Sequence, residues 1–294
     1  MINACAFFLG ALLLVQESWA GNVLEFDGIN DRVLVPYDDS FPTEVFTLSA
    51  WIKLTPPGHR SAIIARGEDD DSFNLSWQLY VNPDGMLQIM LENRREQNFC
   101  YPLTFSGRPQ SSCSAQDLRV ADDQWHHVAA TRELSGRLGL YIDGESCAQC
   151  DQTGVPSSNN FQFLSIGCTF GTVGPPPGGV EPPTWFFPGA IDDPAVWNVA
   201  LSQSDMQQVY DDGVDPADEH LIGFWPFEEG VDQSVADLSA AGNHGFLGAE
   251  PSPDAADPLW KAIGTDPRQA EGQEVSAAHS ESTDPVGPGG AESN

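Results

Sequence analysis

The chain has 294 residues, of which 43 are Asp or Glu and only 12 are Lys or Arg, for a formal charge of −31. A nucleic acid or an anionic membrane surface would be repelled at long range by such a chain, so both are excluded as partners. No apolar stretch approaches the length of a bilayer span, so no membrane insertion is expected.

The first element is a run of about ten apolar residues, Ala6 to Val15, followed by Ser18-Trp19-Ala20. This reads as a signal peptide over 1–20, with the mature chain starting at Gly21 and the protein secreted, extracellular or periplasmic. Strands are then expected at Val23–Phe26, Arg32–Val35 and Phe46–Leu54. In the last of these, Phe46, Leu48, Ala50, Ile52 and Leu54 share one face, and Thr47, Ser49, Trp51 and Lys53 the other. Ala62–Arg66 is another strand, and Trp77–Val81 with Met86–Leu91 forms a hairpin around Asn82-Pro83-Asp84-Gly85.

Asp122 to Gly144 contains the adjacent pair His126-His127, which invites a metal or catalytic reading. Trp125–Thr131 and Arg137–Ile142 instead read as paired strands, and neighbours in a strand project to opposite faces. The two imidazoles therefore cannot grip one ion together. Further strands are expected at Phe161–Ile166 and Gly189–Trp197. A helix of roughly ten residues follows, with Ser202 as cap, Asp205 at its third position, Leu201 stapled to Met206, and Gly213 as its stop. It is expected to cover one end of an antiparallel sandwich. Residues 265–294 are Ser, Gly, Glu, Asp, Pro and Ala with two Val, a composition expected of a disordered acidic tail.

Five cysteines follow the signal segment, and in a secreted chain they suggest disulfides. Cys100–Cys113 would close a local loop, and Cys147 or Cys150 would join Cys168. The Cys147-Ala-Gln-Cys150 spacing lacks the second pair that a zinc site needs.

Four segments, in order, resemble laminin-G-like domains of the concanavalin A-like lectin and glucanase superfamily. They are Leu24–Val33, Phe46–Leu54, Trp125–Ala129 with Leu140–Gly144, and Gly189–Asp193 with Trp197–Ser202. A fifth, Leu221–Gly230 with Asp237–Gly245, resembles a closing segment of such domains. The resemblance implies an all-β, concanavalin A-like jelly-roll sandwich of two antiparallel sheets with one short covering helix. It would occupy 21–264, with 221–247 packed on it as a terminal strand and loop. His244 in this segment reads as part of a turn.

The resemblance also implies a binding or adhesion module whose partner is an extracellular glycan or protein. By analogy with related folds, Ca²⁺ would be held by Asp192 and Asp27 with a carbonyl near Gly28. Glu68 and Asp70, in an acidic loop, form a second candidate. Trp185 and Phe186 are candidates for stacking on sugar rings, unless they enter the core. A structural module with no small ligand is the alternative. The glucanases of the superfamily carry a Glu-x-Asp-x-Glu strand, and no such triplet occurs here, so no catalytic residue is assigned.

Overall fold

A computed structural model describes residues 21–69, 76–93, 96–100, 118–151, 163–171 and 183–263. The readings for 1–20, 265–294, Asp70 and Cys113 lie outside these residues.

In chain order the strands begin with β1 (Gly21–Asp27), β2 (Val33–Val35), β3 (Phe46–Leu54), β4 (Ser61–Arg66) and β5 (Glu68–Asp69). There follow β6 (Trp77–Val81), β7 (Leu87–Asn93), β8 (Glu96–Cys100), β9 (Trp125–Arg132), β10 (Arg137–Ile142) and β11 (Glu145–Asp151). After β12 (Leu164–Ile166), β13 (Thr169–Gly171), β14 (Pro183–Thr184) and β15 (Pro188–Trp197) comes the helix α1 (Gln203–Asp212). The last strands are β16 (Leu221–Phe224), β17 (Ser234–Val235), β18 (Gly245–Leu247) and β19 (Leu259–Ile263).

Among the described residues these build two eight-stranded sheets. The first, sheet A, runs β11-β10-β9-β3-β15-β1-β19, with β16 also on β15; the second, sheet B, runs β17-β18-β2-β12-β4-β6-β7-β8. Every pairing within them is antiparallel. The architecture is the expected two-sheet sandwich. The segment after the helix is shared between the layers, with β16 in sheet A and β17 and β18 in sheet B.

The core lies between the sheets because alternate residues of each strand point inward. The five predicted inward residues of β3 all enter it, from Phe46 to Leu54. They meet Ile63, Ile64, Trp77, Leu79 and Ile89 of sheet B. Trp225 also enters this core, its indole N–H donating to the Asn243 carbonyl at 2.9 Å.

The helix begins as expected. Ser202 and Asp205 form a reciprocal capping box, Met206 is buried beside Leu201, and Gly213 ends the helix at φ 86°. Its place differs from the expectation. It lies on the outer face of sheet A, not over an end of the sandwich. The reason is the outward row Trp51–His127, two large side chains on paired positions that need cover. Tyr210 supplies it, stacking on Trp51 at 5.5 Å and 27° and standing 6.1 Å from the His127 ring. Gln203 fixes the near end, donating from Nε2 to the Gly144 carbonyl at 2.6 Å.

At the start of β15, β15 and β3 approach closely at Gly189, where an added Cβ would collide with the Lys53 carbonyl and the Leu54 side chain. Backbone cannot yield there without parting the strands. Gly189→Ala is expected to destabilise the fold by roughly 1–3 kcal/mol, read as a lower urea midpoint at an unchanged m-value.

Candidate functional site

The proposed calcium residues do not come together. Asp27 pairs with Pro188, four positions along β15 from Asp192, a separation of about 13 Å on a strand rising 3.3 Å per residue. Asp27 is occupied by its own turn: its Oδ1 accepts the Ile29 N–H at 2.8 Å and the Asn30 N–H at 3.2 Å. Gly28 has φ 75° and sits hard against Pro188. Asp192 is buried beside the Trp51 row and accepts the Asp193 N–H at 3.0 Å. Among the described residues no three His, Cys, Asp or Glu side chains converge on an ion position. Asp27, Gly28 and Asp192 thus do not fit a shared calcium ion. The backbone of Glu68 lies in β5, paired with β13 in a small third sheet.

Trp185 and Phe186 part company with Phe187. Phe187 enters the core edge-on to Phe26. Trp185 stays half-buried on the outer side of sheet B against Tyr80 and Met90, with the Arg60 guanidinium 4.7 Å over its ring. A φ of 54° is unusual for so large a residue. Its ring is already taken by Arg60 and Tyr80. Phe186 is half-buried.

The cysteines also depart from expectation. Cys168 is a buried free thiol, pushed up to about 12 by burial, and Cys150 is disulfide-bonded. The bridge from Cys168 to Cys147 or Cys150 is therefore not made. Topology explains this, because β12, beside Cys168, lies mid-sheet between β2 and β4, whereas β11 is the far edge of the other sheet. The Cys147 thiol is buried and donates to the Glu145 carbonyl at 3.4 Å. Cys113 lies outside the described residues, and of Cys100 only the backbone, in β8, is described.

The double histidine splits as the strand reading requires. His127 is buried under the helix, and burial pushes its pKa down to about 4, so the ring is neutral. His126 stands between two carboxylates, 2.8 Å from Asp143 Oδ2 and 3.3 Å from Asp122 Oδ1. Burial alone would lower its pKa, but Asp143 and Asp122 together outweigh burial and hold it above the ordinary value. Asp143 also accepts the His127 N–H, so this cluster ties the β10–β11 turn, which carries Asp143, to the start of β9.

The feature that sequence reasoning missed is a groove of about 390 Å³ on the outer face of sheet A, beside the helix. Register builds its floor: Trp125 opposes Lys53, Lys53 opposes Ala190, and Ala190 opposes Glu25, with β19 the next strand beyond. The groove thus crosses five strands. Lys261 flanks it from β19 and gives a 2.7 Å ion pair to Glu25, while Lys53 stands 4.0 Å from Asp123. The small Ala190 side chain keeps the middle low, with the Gly189 backbone beside it. Trp125 forms one wall, and among the described residues its indole N–H meets no acceptor. Lys53 and Lys261 are the two lysines of the whole chain. That coincidence was a readable signal, but only the strand order, with β19 added beside β1, reveals that the two lysines flank one groove.

A family model described as the concanavalin A-like lectin/glucanases superfamily matches residues 27–207. The chain belongs to this superfamily. Within the concanavalin A-like superfamily the comparisons are distant. Calsyntenin-1 of Homo sapiens is 27% identical over 127 residues, which is 42% of this chain and 12% of that protein. Calsyntenin-1 of Rattus norvegicus is 26% identical over 106 residues, covering 36% of this chain and 10% of that one. The chain therefore spans only a small part of these relatives. A solved structure from Bacteroides ovatus ATCC 8483, of a protein proposed to bind carbohydrate, matches with a TM-score of 0.54 at 19% identity. It covers 83% of this chain and 60% of that one, and at this identity the likeness shows the fold.

The His126 cluster carries a pH dependence. A histidine whose folded pKa is raised contributes stability that is full below its unfolded value and lost as pH rises through the folded value. His126→Gln should therefore cost on the order of 1 kcal/mol near pH 5.5 and much less near pH 9, measured by urea unfolding at each pH.

Proposed function

We propose that the protein is a secreted, non-enzymatic binding module that holds carbohydrate in the groove between Trp125 and Lys261. One observation carries the reading: the two lysines of a strongly acidic chain and an accessible tryptophan flank one groove with a low floor at Ala190. An indole face offers apolar area at small entropic cost, and sugars present a matching C–H face. The lysine and carboxylate pairs at the rim supply fixed donors and acceptors at the height where sugar hydroxyls would lie. These pairs contribute little to folding, because both are open to solvent. Their placement therefore calls for a reason other than stability.

Cleavage is the weaker reading of the same groove. Glu25 and Asp123 stand on opposite sides of it, but each lies beside a lysine and is open to solvent, without the apolar pocket that a general acid uses. The Bacteroides ovatus neighbour is proposed to bind carbohydrate, which agrees with this reading without carrying it. Among the described residues the carboxylates lining the groove are Glu25 and Asp123, each beside a lysine, and binding is expected to be the same with calcium as with EDTA.

The test is a glycan array probed with the secreted protein and with Trp125→Ala. Trp125→Ala is expected to weaken every hit by about tenfold or more, since stacking on an aromatic ring is worth on the order of 1–2 kcal/mol. A blank array for the unaltered protein would overturn the reading and turn attention to protein adhesion. Hits that Trp125→Ala leaves unchanged would place the carbohydrate elsewhere.

A further inference from the structure

We infer that the groove takes a linear, uncharged oligosaccharide laid across the strands, in preference to a single sugar or an acidic glycan. This rests on the reading that the groove binds carbohydrate, and it adds the length and charge of the ligand.

Length follows from register. From Trp125 through Lys53, Ala190 and Glu25 to Lys261 the groove crosses five adjacent strands, hence four inter-strand spacings. At about 4.8 Å each, that is a track of about 19 Å. A sugar ring is about as wide as one spacing, so several rings fit end to end. The track is also furnished at both ends. Trp125, Lys53 and Asp123 stand at one, and Glu25 and Lys261 at the other, with bare Ala190 between. A single sugar would engage one end and leave the other in water.

Charge follows from the pairing. Two lysines against Glu25 and Asp123 leave the groove with no net charge, in a chain at −31. Elsewhere the surface is dominated by carboxylates, so an acidic ligand would meet repulsion on the way in and compete with carboxylates on arrival. A neutral polyol meets neither. Each hydroxyl is both donor and acceptor, so it can bridge an ammonium and its carboxylate without displacing either. In this arrangement the lysines serve to neutralise a patch of an acidic surface as well as to donate hydrogen bonds.

The experiment is isothermal titration calorimetry on the full chain with neutral hexose oligomers of one to about six units, then with carboxylated and amino-sugar oligomers of matched length at about 0.15 M salt. Affinity is expected to climb by about tenfold or more from one unit to about four, and then to level off. Lys261→Gln should remove the gain in affinity from two units to four. Glu25→Gln leaves Lys261 with a neutral partner and should shift preference toward the carboxylated series. A single sugar that binds as tightly as the tetramer would overturn the length, and tighter binding of the acidic or amino-sugar series would overturn the charge. Either result leaves carbohydrate binding itself standing. Failure of every oligomer to bind would instead sink the reading on which this one rests.

Discussion

The structure turns on the period-two alternation of β3. Its even-numbered residues fill the sandwich, which obliges Trp51 and Lys53 to stand on the outer face of sheet A. A buried-sized tryptophan on an outer face needs cover, and α1 provides it through Tyr210. The helix reaches no further than that row. One step along the strand, Lys53 and its partners Trp125 and Ala190 remain open, and the groove is the uncovered remainder of the face. Fold and candidate site are consequences of one pattern.

The polar groups around this face are placed with similar economy. His127 is accepted into the interior as a neutral ring, whereas His126 is kept near solvent and held by two carboxylates. Asp143 serves both histidines and closes the β10–β11 turn from a left-handed backbone at φ 51°, a conformation that Asp tolerates. At the end of β1, the turn is knit by Asp27 and Asp31. Burial raises the Asp31 carboxyl to about 6 while it accepts the Asp27 N–H at 2.8 Å. Such carboxylates, used up in turns, resemble metal ligands in a sequence and act as local fasteners in the fold.

Most of the sandwich was legible in the sequence because alternation, turn residues and capping are local. Phe46–Leu54, the Asn82–Gly85 turn and the Ser202–Asp205 cap could be read directly. The opposite faces of His126 and His127 followed from the same rule. What failed were inferences about which distant strands meet. Asp27 and Asp192 were joined by analogy, yet β1 pairs with β15 four residues out of step for that purpose. Cys168 was assigned to a bridge across the sandwich, and it lies in the wrong layer position to make one. Leu259–Ile263 alternates too weakly to announce itself, since its outward residues are exposed, yet as β19 it closes the edge of sheet A and carries Lys261 into the groove. Trp125 was read as part of a family hairpin, and only its cross-strand neighbour Lys53 gives it another role.

Because the chain has two lysines and both flank the groove, the central claim has an unusually direct probe. Reductive ¹³C-methylation of the lysines gives resonances that report on Lys53 and Lys261 alone, apart from the terminal amine. Titration with a neutral oligosaccharide should move both lysine signals along saturable curves sharing one dissociation constant. Saturable binding of the same ligand that leaves both lysine signals in place would contradict the account, since it would put the sugar on some other part of the sandwich.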